Sequence, residues 1–489
     1  MPTVFLLSPA RLVTGCCQPA GTGLVRWWQS KFGWSAVMTS RYRLAGVVAV
    51  LGMVMAALVV WIRRPREFAN PGLVQQAVQS GAANSLAEEL PGAWPQWRGP
   101  RRDGQIDAVS ARALLGGKPD PKWEVPLGEG YSSPVVVDGR VITLSRSGDE
   151  EELQALDARD GSRVWRQAWP TAYTNDYGRG PRATPTVAGG MVFALGAAGR
   201  LVAVSLSDGK PVWNVELVGD ISKVPPRWGF SGSPLVAGDL VVVQAGPPAG
   251  VVAFDRLTGK EVWRASSDPA GYSSPILVRC REGLQLVCLT GLRLLGLDPA
   301  SGEVLWQEEW PTEFEVNAAT PLLWTVPGEG GETLYAFVTS GYGRGCCLVR
   351  ADKEKGGKFW NASVVYRNTR LRSHFGSPVR MGDLICGFDE QMVTALDWRT
   401  GERLWSKRGY KKGTLLAAGD HLLLLGEDGD LALARPEEKD LRELWRLKVF
   451  GDQGPAGKKA WTMPVVAGGM VLVRDEEKLT CLRLAPGKE

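Results

Sequence analysis

The chain repeats one short pattern in which an aspartate is followed after three residues by a glycine and after three more by a tryptophan. The pattern recurs at intervals of roughly 40–50 residues, the length of one four-stranded blade of a β-propeller. Five copies are complete, one has a serine in place of the aspartate, and a degraded copy keeps its tryptophan. The tryptophans that end these copies are Trp165, Trp213, Trp263, Trp306, Trp360, Trp405 and Trp445.

A second periodic element precedes each pattern and predicts the innermost strand of a blade. It consists of Ser-Pro or Thr-Pro, a short apolar run, a turn containing glycine, and another apolar run. Eight copies are present, of which the last two are weaker, and eight innermost strands indicate eight blades. The copies begin at Ser133, Thr184, Ser233, Ser274, Thr320, Ser377, Thr414 and Met463.

The eighth closing tryptophan is Trp123, which lies upstream of all eight innermost strands. The last repeat, from Trp461 to about residue 484, lacks an outer strand that the N-terminal segment can supply. Sharing one blade between the two chain ends closes the ring and leaves no long unpaired sheet edge. We therefore predict an all-β, eight-bladed propeller over residues 93–489, closed by the strand that holds Trp123.

The spacing within the pattern has a physical reason. In the copy Asp157-Gly161-Trp165, the aspartate can accept hydrogen bonds from nearby amides of a tight turn, and the glycine can adopt a positive φ at low cost. The tryptophan then lies on the outer strand, where its ring covers the gap to the next blade and its N–H can reach a polar partner.

The N-terminal part is predicted to anchor the propeller to a membrane. Residues 44–62 are apolar and uncharged, long enough for one membrane-spanning helix. A cleaved signal peptide is the alternative, as is lipidation at Cys16. Residues 1–43 form a separate segment, with translation starting at Met1 or at Met38, and residues 63–92 form a linker. Residues 1–66 hold eight of the 57 basic residues and none of the 52 acidic ones, so the rest has a net charge of −3 and no nucleic-acid-binding footprint.

Residue types narrow the chemistry. The chain has only two histidines, His374 and His421, and it lacks a haem-attachment motif, a zinc-hydrolase motif and a phosphate-binding loop. The adjacent Cys346 and Cys347 lie in an apolar strand pattern and are interpreted as buried thiols. No catalytic residue and no metal ligand is assigned.

A candidate binding site follows from comparing the repeats. The residues three positions before each repeat's proline differ in type, and in a propeller they converge at one mouth of the central channel. Aromatic rings beside cations suit a flat anionic ligand or an acidic, aromatic-bearing peptide; the alternative is that these side chains only plug the mouth. The eight positions are Tyr131, Arg182, Ser231, Tyr272, Ala318, Phe375, Lys412 and Trp461, and neighbours predicted to join them are Trp228, Asn317 and His374.

The repeats resemble those of the PQQ-like β-propellers, which include quinoprotein dehydrogenases and the BamB type of outer-membrane assembly lipoprotein. The segment Trp94-Pro95-Gln96-Trp97-Arg98-Gly99-Pro100, followed by Asp103-Gly104, is similar to the opening signature of a planctomycete-type subgroup of PQQ-binding-like proteins. Further similar stretches are Gly180–Thr186, Gly271–Pro275 and Asn317–Pro321.

The resemblance implies a propeller held outside the cytoplasm, on the periplasmic side of the inner membrane, as a non-catalytic scaffold for envelope proteins. The alternative that it implies is a PQQ-dependent dehydrogenase of an alcohol or a sugar, with PQQ and calcium as cofactors. Under that hypothesis, Asn317, Asp176 and Asp389 would lie near the calcium ion. Cys346 and Cys347 would form a disulfide, as in the methanol-dehydrogenase branch. A membrane-bound sensor of a small ligand is a third hypothesis.

Overall fold

A computed structural model describes residues 92–328, 331–353, 357, 360–451 and 458–484. Within these ranges the strands form eight four-stranded sheets. The predicted N-terminal segment, membrane anchor and nearly all of the linker lie outside the described residues and stay predictions. Among the described residues, no helix has the length and apolar character needed to span a bilayer.

Blades 1 to 7 each use four consecutive strands paired in chain order, with all neighbours antiparallel. Blade 1 contains β2 (Val135–Val137), β3 (Arg140–Ser147), β4 (Glu150–Asp157) and β5 (Arg163–Pro170). Blade 2 contains β6 (Thr186–Ala188), β7 (Met191–Leu195), β8 (Arg200–Ser205) and β9 (Pro211–Glu216). Blade 3 contains β10 (Leu235–Ala237), β11 (Leu240–Gly246), β12 (Gly250–Asp255) and β13 (Glu261–Ala265). Blade 4 contains β14 (Ile276–Cys280), β15 (Gly283–Leu289), β16 (Arg293–Leu297) and β17 (Val304–Glu309).

The remaining blades follow the same order until the ring closes. Blade 5 contains β18 (Leu322–Gly328), β19 (Gly331–Ser340), β20 (Gly345–Lys353) and β21 (Trp360–Asn368). Blade 6 contains β22 (Val379–Met381), β23 (Leu384–Asp389), β24 (Met392–Asp397) and β25 (Arg403–Lys407). Blade 7 contains β26 (Gly413–Ala418), β27 (His421–Gly426), β28 (Asp430–Pro436) and β29 (Leu441–Lys448). Blade 8 contains β30 (Val465–Ala467), β31 (Met470–Arg474), β32 (Lys478–Arg483) and β1 (Asp120–Pro126). The only α-helix in the described ranges is α1 (Ala108–Leu115), and short irregular helical turns occupy Leu217–Ile221 and Glu313–Glu315.

Blade 8 confirms the predicted closure. Strand β1 pairs antiparallel with β32, and Trp123 lies opposite Cys481. The seam is reinforced by Arg474 at the end of β31, whose buried guanidinium donates to the carbonyl oxygens of Ser132 (2.8 Å) and Leu144 (2.7 Å) in blade 1. The chain ends therefore complete one sheet and tie it to the next.

At four blade junctions, the tryptophan of one blade packs on the glycine of the pattern in the next blade. Gly209 has φ +71°, and a Cβ at this residue would lie 2.6 Å from the ring of Trp165. The indole Nε1 of Trp165 donates to the carbonyl oxygen of Leu206, in the same turn, at 2.9 Å. Equivalent donations run from Trp123 to Ala158 (3.1 Å), Trp213 to Arg256 (2.9 Å), Trp263 to Pro299 (3.2 Å) and Trp405 to Glu437 (2.9 Å). Trp445 donates instead to Leu114 in helix α1 (3.1 Å), and Trp306 donates to Gln285 Oε1 in its own blade (2.7 Å).

The role predicted for Trp360 is wrong. In blade 5 the residue that reaches the next blade is Tyr366, whose hydroxyl donates to the carbonyl oxygen of Trp398 at 3.0 Å and whose ring lies against Gly401. Trp360 instead begins β21, opposite Lys353, and packs in the apolar cluster that contains Trp306. The β20–β21 hairpin is longer than its counterparts, so the sequence pattern falls six residues before the docking position.

The Ser-Pro and Thr-Pro elements connect neighbouring blades around the channel. The hydroxyl oxygen of Ser233 accepts a hydrogen bond from the backbone N–H of Thr184 (2.9 Å), and Ser274 accepts one from Ser233 (2.9 Å). Thr320 donates in the same way to Ser377 (2.9 Å). These hydroxyls satisfy buried amides at the start of the innermost strands, which holds the preceding residues at one mouth of the channel.

Residues 94–106 fill the axis of the ring and are called the plug. Trp94 pairs with Val136 of blade 1, and the N–H of Ile106 donates to the carbonyl oxygen of Ala417 in blade 7 at 2.8 Å. The plug thus crosses the ring before helix α1 leads the chain to β1. The segment that carries the opening signature is an internal part of the propeller.

Arg102 lies at the centre of the plug with a side chain only 1% exposed. Each of its five N–H groups donates a hydrogen bond, and none of the acceptors is a carboxylate. Burial lowers the pKa of its guanidinium to about 9, so the group stays charged at neutral pH. The acceptors are Gln96 Oε1, Thr186 Oγ1 and the carbonyl oxygens of Ser233, Pro234 and Pro275.

Candidate functional site: a cup at one mouth of the channel

One cavity of about 390 Å³ opens at the end of the ring where the innermost strands begin. All eight positions chosen by comparing the repeats line this cavity, which we call the cup. Two of the three added neighbours, Trp228 and His374, line it as well. Residues of the cup that the repeat comparison missed include Trp97, Tyr177, Val316 and Tyr342.

Trp97 shows that the plug contributes to the cup. Its ring lines the cavity and its Nε1 donates to Thr320 Oγ1 at 2.9 Å. The channel is therefore closed below the cup by residues 94–106 rather than open from end to end. The opening signature gave a sequence signal for Trp97, but only the folded ring shows where that signature lies.

Aromatic rings in contact form two parts of the wall. Tyr131 stacks on Trp461 with ring centroids 5.3 Å apart, and Phe375 lies against the same indole at 5.2 Å. On another part of the wall, Trp228 and Tyr272 have centroids 5.9 Å apart. Such pairs hold large planar surfaces in fixed orientations, ready to stack with a planar ligand.

Two cations line the cup, and they are held differently. Arg182 donates to the carbonyl oxygens of Tyr177 (3.1 Å) and Gly178 (3.1 Å) and to Tyr173 Oη (3.1 Å), so its charge is oriented by neutral acceptors. Lys412 makes no hydrogen bond or ion pair through its amine with the described residues. Its neighbour Lys411 is paired with Asp428 at 2.6 Å and does not line the cup.

Carboxylates lie behind the lining and bond to it. Tyr131 Oη donates to Glu476 at 2.9 Å, and Trp461 Nε1 donates to Glu427 at 2.9 Å. Burial chiefly, with Glu476 adding to it, raises the pKa of Tyr131. No Asp or Glu belongs to the lining within the described residues, so the charges that face a ligand are positive.

His374 is a neutral wall residue rather than a free base. Its Nε2 lies 2.7 Å from Glu390, and the ring of Tyr342 packs on it at 4.8 Å. Burial, followed by the charge of Lys412, lowers the pKa of His374, while Glu390 opposes the shift. At neutral pH the imidazole therefore adds a hydrogen-bonding ring and no charge.

Asn317 does not reach the cup. It is fully buried, and its amide nitrogen donates to the carbonyl oxygens of Thr290 (2.8 Å) and Trp310 (3.1 Å) while its oxygen accepts from Ser340 (2.7 Å). The next residue, Ala318, faces the cavity instead. Asn317 links blades 4 and 5 and has no free group for a ligand.

A protein-family model described as outer membrane protein assembly factor BamB matches residues 119–217, 149–361 and 330–440 of this chain. Together these matches cover more than half of the chain. This chain belongs to that family of PQQ-like propellers. The all-β, eight-bladed propeller and the PQQ-like family, both drawn from the repeats, are confirmed.

Individual relatives of this propeller come from two kinds of protein. It is 28% identical over 300 residues to the outer membrane protein assembly factor BamB of Burkholderia pseudomallei, covering 58% of this chain and 68% of that protein. It is 28% identical over 211 residues to the quinohemoprotein alcohol dehydrogenase ADH-IIG of Pseudomonas putida, covering 41% of this chain but only 27% of that enzyme. The crystal structure of the Comamonas testosteroni quinohemoprotein alcohol dehydrogenase superposes with a TM-score of 0.55 at 15% identity, over 86% of this chain and 84% of that one.

The cup fits one of the two cofactors of a quinoprotein dehydrogenase and not the other. Its rings and cations suit a flat, carboxylate-bearing quinone. Calcium requires several oxygen ligands, commonly carboxylates, and no carboxylate lies in the described lining. Asp389 is buried and already bonded to Arg372 (2.7 Å) and Arg403 (2.9 Å). Asn317 is fully used, and Asp176 is not part of the lining.

The adjacent cysteines also have structural positions. Both are buried in β20, where Cys346 packs in one inter-blade cluster and Cys347 in another. They are free thiols, and burial chiefly raises the pKa of each. Their side chains therefore fill the gaps on opposite faces of the same sheet.

Proposed function

We propose that this protein is a membrane-anchored, extracytoplasmic binding scaffold of the cell envelope, without catalytic activity of its own, whose cup holds an acidic, aromatic-bearing segment of a partner protein. The observation that carries the proposal is the composition of the cup: aromatic walls, a floor closed by the plug, and positive charge from Arg182 and Lys412. Carboxylates of the partner segment would be attracted by the charges of Arg182 and Lys412, while an aromatic side chain of the segment would stack on Trp461 or Trp228.

Membership of the BamB family supports the envelope part of the proposal. The B. pseudomallei relative is named as an outer membrane protein assembly factor, and this chain covers about two thirds of it. Residues 44–62 would anchor the propeller on the periplasmic side of the inner membrane. N-terminal mass spectrometry of the protein purified from its native membranes tests the anchor, because a retained span requires that residues 44–62 be present.

The binding experiment uses calorimetric titration of the full chain with two peptides of equal length, one alternating Asp with Phe and one alternating Lys with Phe. We expect saturable binding of the acidic peptide alone. Removing the amine in Lys412→Met should weaken binding of the acidic peptide by about 10- to 150-fold, because a charge-assisted hydrogen bond contributes about 1.5–3 kcal/mol. Lys411→Met is the matched control, since that amine is paired with Asp428 and outside the cup. Equal loss in both variants contradicts a specific cup.

Trp461→Leu separates binding from folding. We expect the affinity for the acidic peptide to fall while the thermal midpoint changes little, because this indole faces the cavity. The comparison variant Trp263→Ala should instead cost about 3–5 kcal/mol of stability, since it removes a fully buried ring. If Trp461→Leu lowers the midpoint as strongly as Trp263→Ala does, the cup residues act as a structural plug of the mouth.

The enzyme alternative has its own test. The full chain is mixed with PQQ and calcium, and absorbance and dye-coupled turnover are measured over a panel of alcohols and sugars. The scaffold proposal expects no turnover. Saturable PQQ binding accompanied by turnover would overturn it.

A further inference from the structure

A second cavity, of about 570 Å³, lies on the other side of the plug from the cup. Plug residues form part of its wall, and the innermost strands β10, β14 and β18 form most of the rest. The cup is lined by residues that precede these strands, such as Ser233 and Ser274, whereas this cavity is lined by residues within them, such as Val236 and Val278. We call it the plug-side cavity.

The lining of the plug-side cavity is strongly basic. It contains four arginines, Arg101, Arg102, Arg279 and Arg380, and one carboxylate, Asp103. Asp103 is already engaged, since it accepts from Arg101 Nε at 3.0 Å and from the backbone N–H of Gln105 at 3.0 Å. Among the described lining residues the cavity therefore has an excess of positive charge with no anion to balance it.

Two of these arginines have guanidinium groups available for a ligand. Arg279 and Arg380 come from different blades, and neither side chain makes a hydrogen bond or ion pair with the described residues. Arg102 contributes its charge but no free N–H, because all five are used within the ring. The cavity thus has two donor groups in front of a fixed positive charge.

Aromatic rings hold Arg380 in place. Its guanidinium carbon lies 4.9 Å from the ring centroid of Trp324 and 5.4 Å from that of Trp398. Burial chiefly lowers the pKa of Arg380, and the one carboxylate that opposes this, Asp383, is bonded to Arg399 at 2.8 Å. Arg380 is therefore oriented by stacking and has no counter-ion of its own among the described residues.

Trp324 gives an independent sign of an absent partner. Its side chain is 9% exposed and lines the cavity, and its Nε1 makes no hydrogen bond with any residue that the structure describes. A buried donor without an acceptor costs about 1–3 kcal/mol.

We propose that the plug-side cavity is a binding site for a phosphate-bearing ligand. A phosphate group carries up to two negative charges and several acceptor oxygens, which match the paired N–H groups of Arg279 and Arg380. A single carboxylate would leave most of the positive charge unbalanced. The apolar residues Ile276, Leu277 and Leu322 on the wall accommodate the organic part that bears the phosphate. This site is separate from the cup and does not depend on the function proposed for it.

The test is calorimetric titration of the full chain with glycerol 3-phosphate, and sedimentation with vesicles that contain phosphatidic acid. Arg279→Gln and Arg380→Gln should each weaken binding about tenfold, because each removes a charge-assisted hydrogen bond. Arg281→Gln is the matched control: it removes a positive charge from the same blade, two residues beyond Arg279, outside the cavity. Its affinity should stay within about twofold of the unmodified chain.

Two further measurements keep the result interpretable. Arg380→Lys retains the positive charge without the planar guanidinium, so it should lose less affinity for the phosphate probes than Arg380→Gln does. If Arg380→Gln fails to fold, the affinities of Arg380→Lys and Arg279→Gln test the site instead. Binding of glycerol 3-phosphate identifies a soluble phosphate ester, and binding of the vesicles alone identifies a lipid headgroup; both support the site when the variants behave as expected. Binding of neither probe, or equal affinity in Arg281→Gln and the two cavity variants, overturns the proposal.

Discussion

Replacing Gly209 with alanine tests the contact that joins one blade to the next. Gly209 and Gly190 both lie in turns of blade 2 and have nearly the same φ, +71° and +73°. A Cβ at Gly209 would lie 2.6 Å from the ring of Trp165, whereas a Cβ at Gly190 would meet nothing within 4 Å. The two substitutions therefore share the backbone cost and differ in the contact with the tryptophan.

The expected magnitudes follow from these two terms. Alanine in the left-handed region costs about 1–2 kcal/mol at either residue. At Gly209 the new methyl group must also displace the indole of Trp165, and overpacking of this kind costs about 1–3 kcal/mol. We expect Gly190→Ala to lower the free energy of unfolding by about 1–2 kcal/mol and Gly209→Ala by about 2–5 kcal/mol.

Urea unfolding of the full chain, followed by far-ultraviolet circular dichroism, measures both losses. Adding Trp165→Ala removes the ring that the methyl group strikes, so in that background Gly209→Ala should cost only as much as Gly190→Ala. The double-mutant cycle would then give a coupling of about 1–3 kcal/mol between Gly209 and Trp165. Equal losses for the two glycine variants, or no coupling to Trp165, would refute the docking explanation of the repeat.

Four further outcomes can be checked on the same protein. Arg102→Met should lower the free energy of unfolding by about 3–5 kcal/mol in urea titrations, because it leaves several buried carbonyl oxygens without their donor; a loss below about 1 kcal/mol would contradict the role given to the plug. Lys412→Met should raise the pKa of His374 in a proton NMR titration, since the lysine charge lowers it. Because the pKa of His374 is lowered in the folded state, the unfolded chain binds the proton first as the pH falls. The free energy of unfolding should therefore decrease below the ordinary histidine pKa of about 6.5. His374→Asn should remove this part of the pH dependence. Cys346 and Cys347 should not react with Ellman's reagent in the native state, since burial raises the pKa of both thiols; labelling of either one without unfolding would show that β20 opens.

The sequence was sufficient to predict blade number, closure and the residues around the cup. Trp123 could be assigned to the last blade because eight innermost strands require eight outer ones, and the positions three before each proline converge because every blade begins alike. Trp360 was misassigned because the hairpin of blade 5 is longer than the others, so a match in sequence was no longer a match in space. Asn317 was misplaced by a single residue, which in extended chain reverses the direction of the side chain.

The plug could not have been derived from local pattern. Arg102 finds its acceptors as far as 173 residues along the chain, and the carbonyl oxygens that it bonds have no signature in the sequence. Burying an arginine is costly unless every N–H is satisfied, so its position depends on a ring that is already closed. The same holds for Arg279, Arg380 and Trp324, which are brought to one cavity from three different blades.

By itself, the sequence determined the architecture of this propeller, because the Asp, Gly and Trp of each repeat specify a tight turn and a ring that docks on it, and these are short-range requirements repeated along the chain. Only the tertiary structure decided what fills the centre. Closing the ring brings eight unlike residues to one mouth and encloses residues 94–106 in the axis, and the charges on the two sides of this plug depend on which side chains the closed ring leaves without partners.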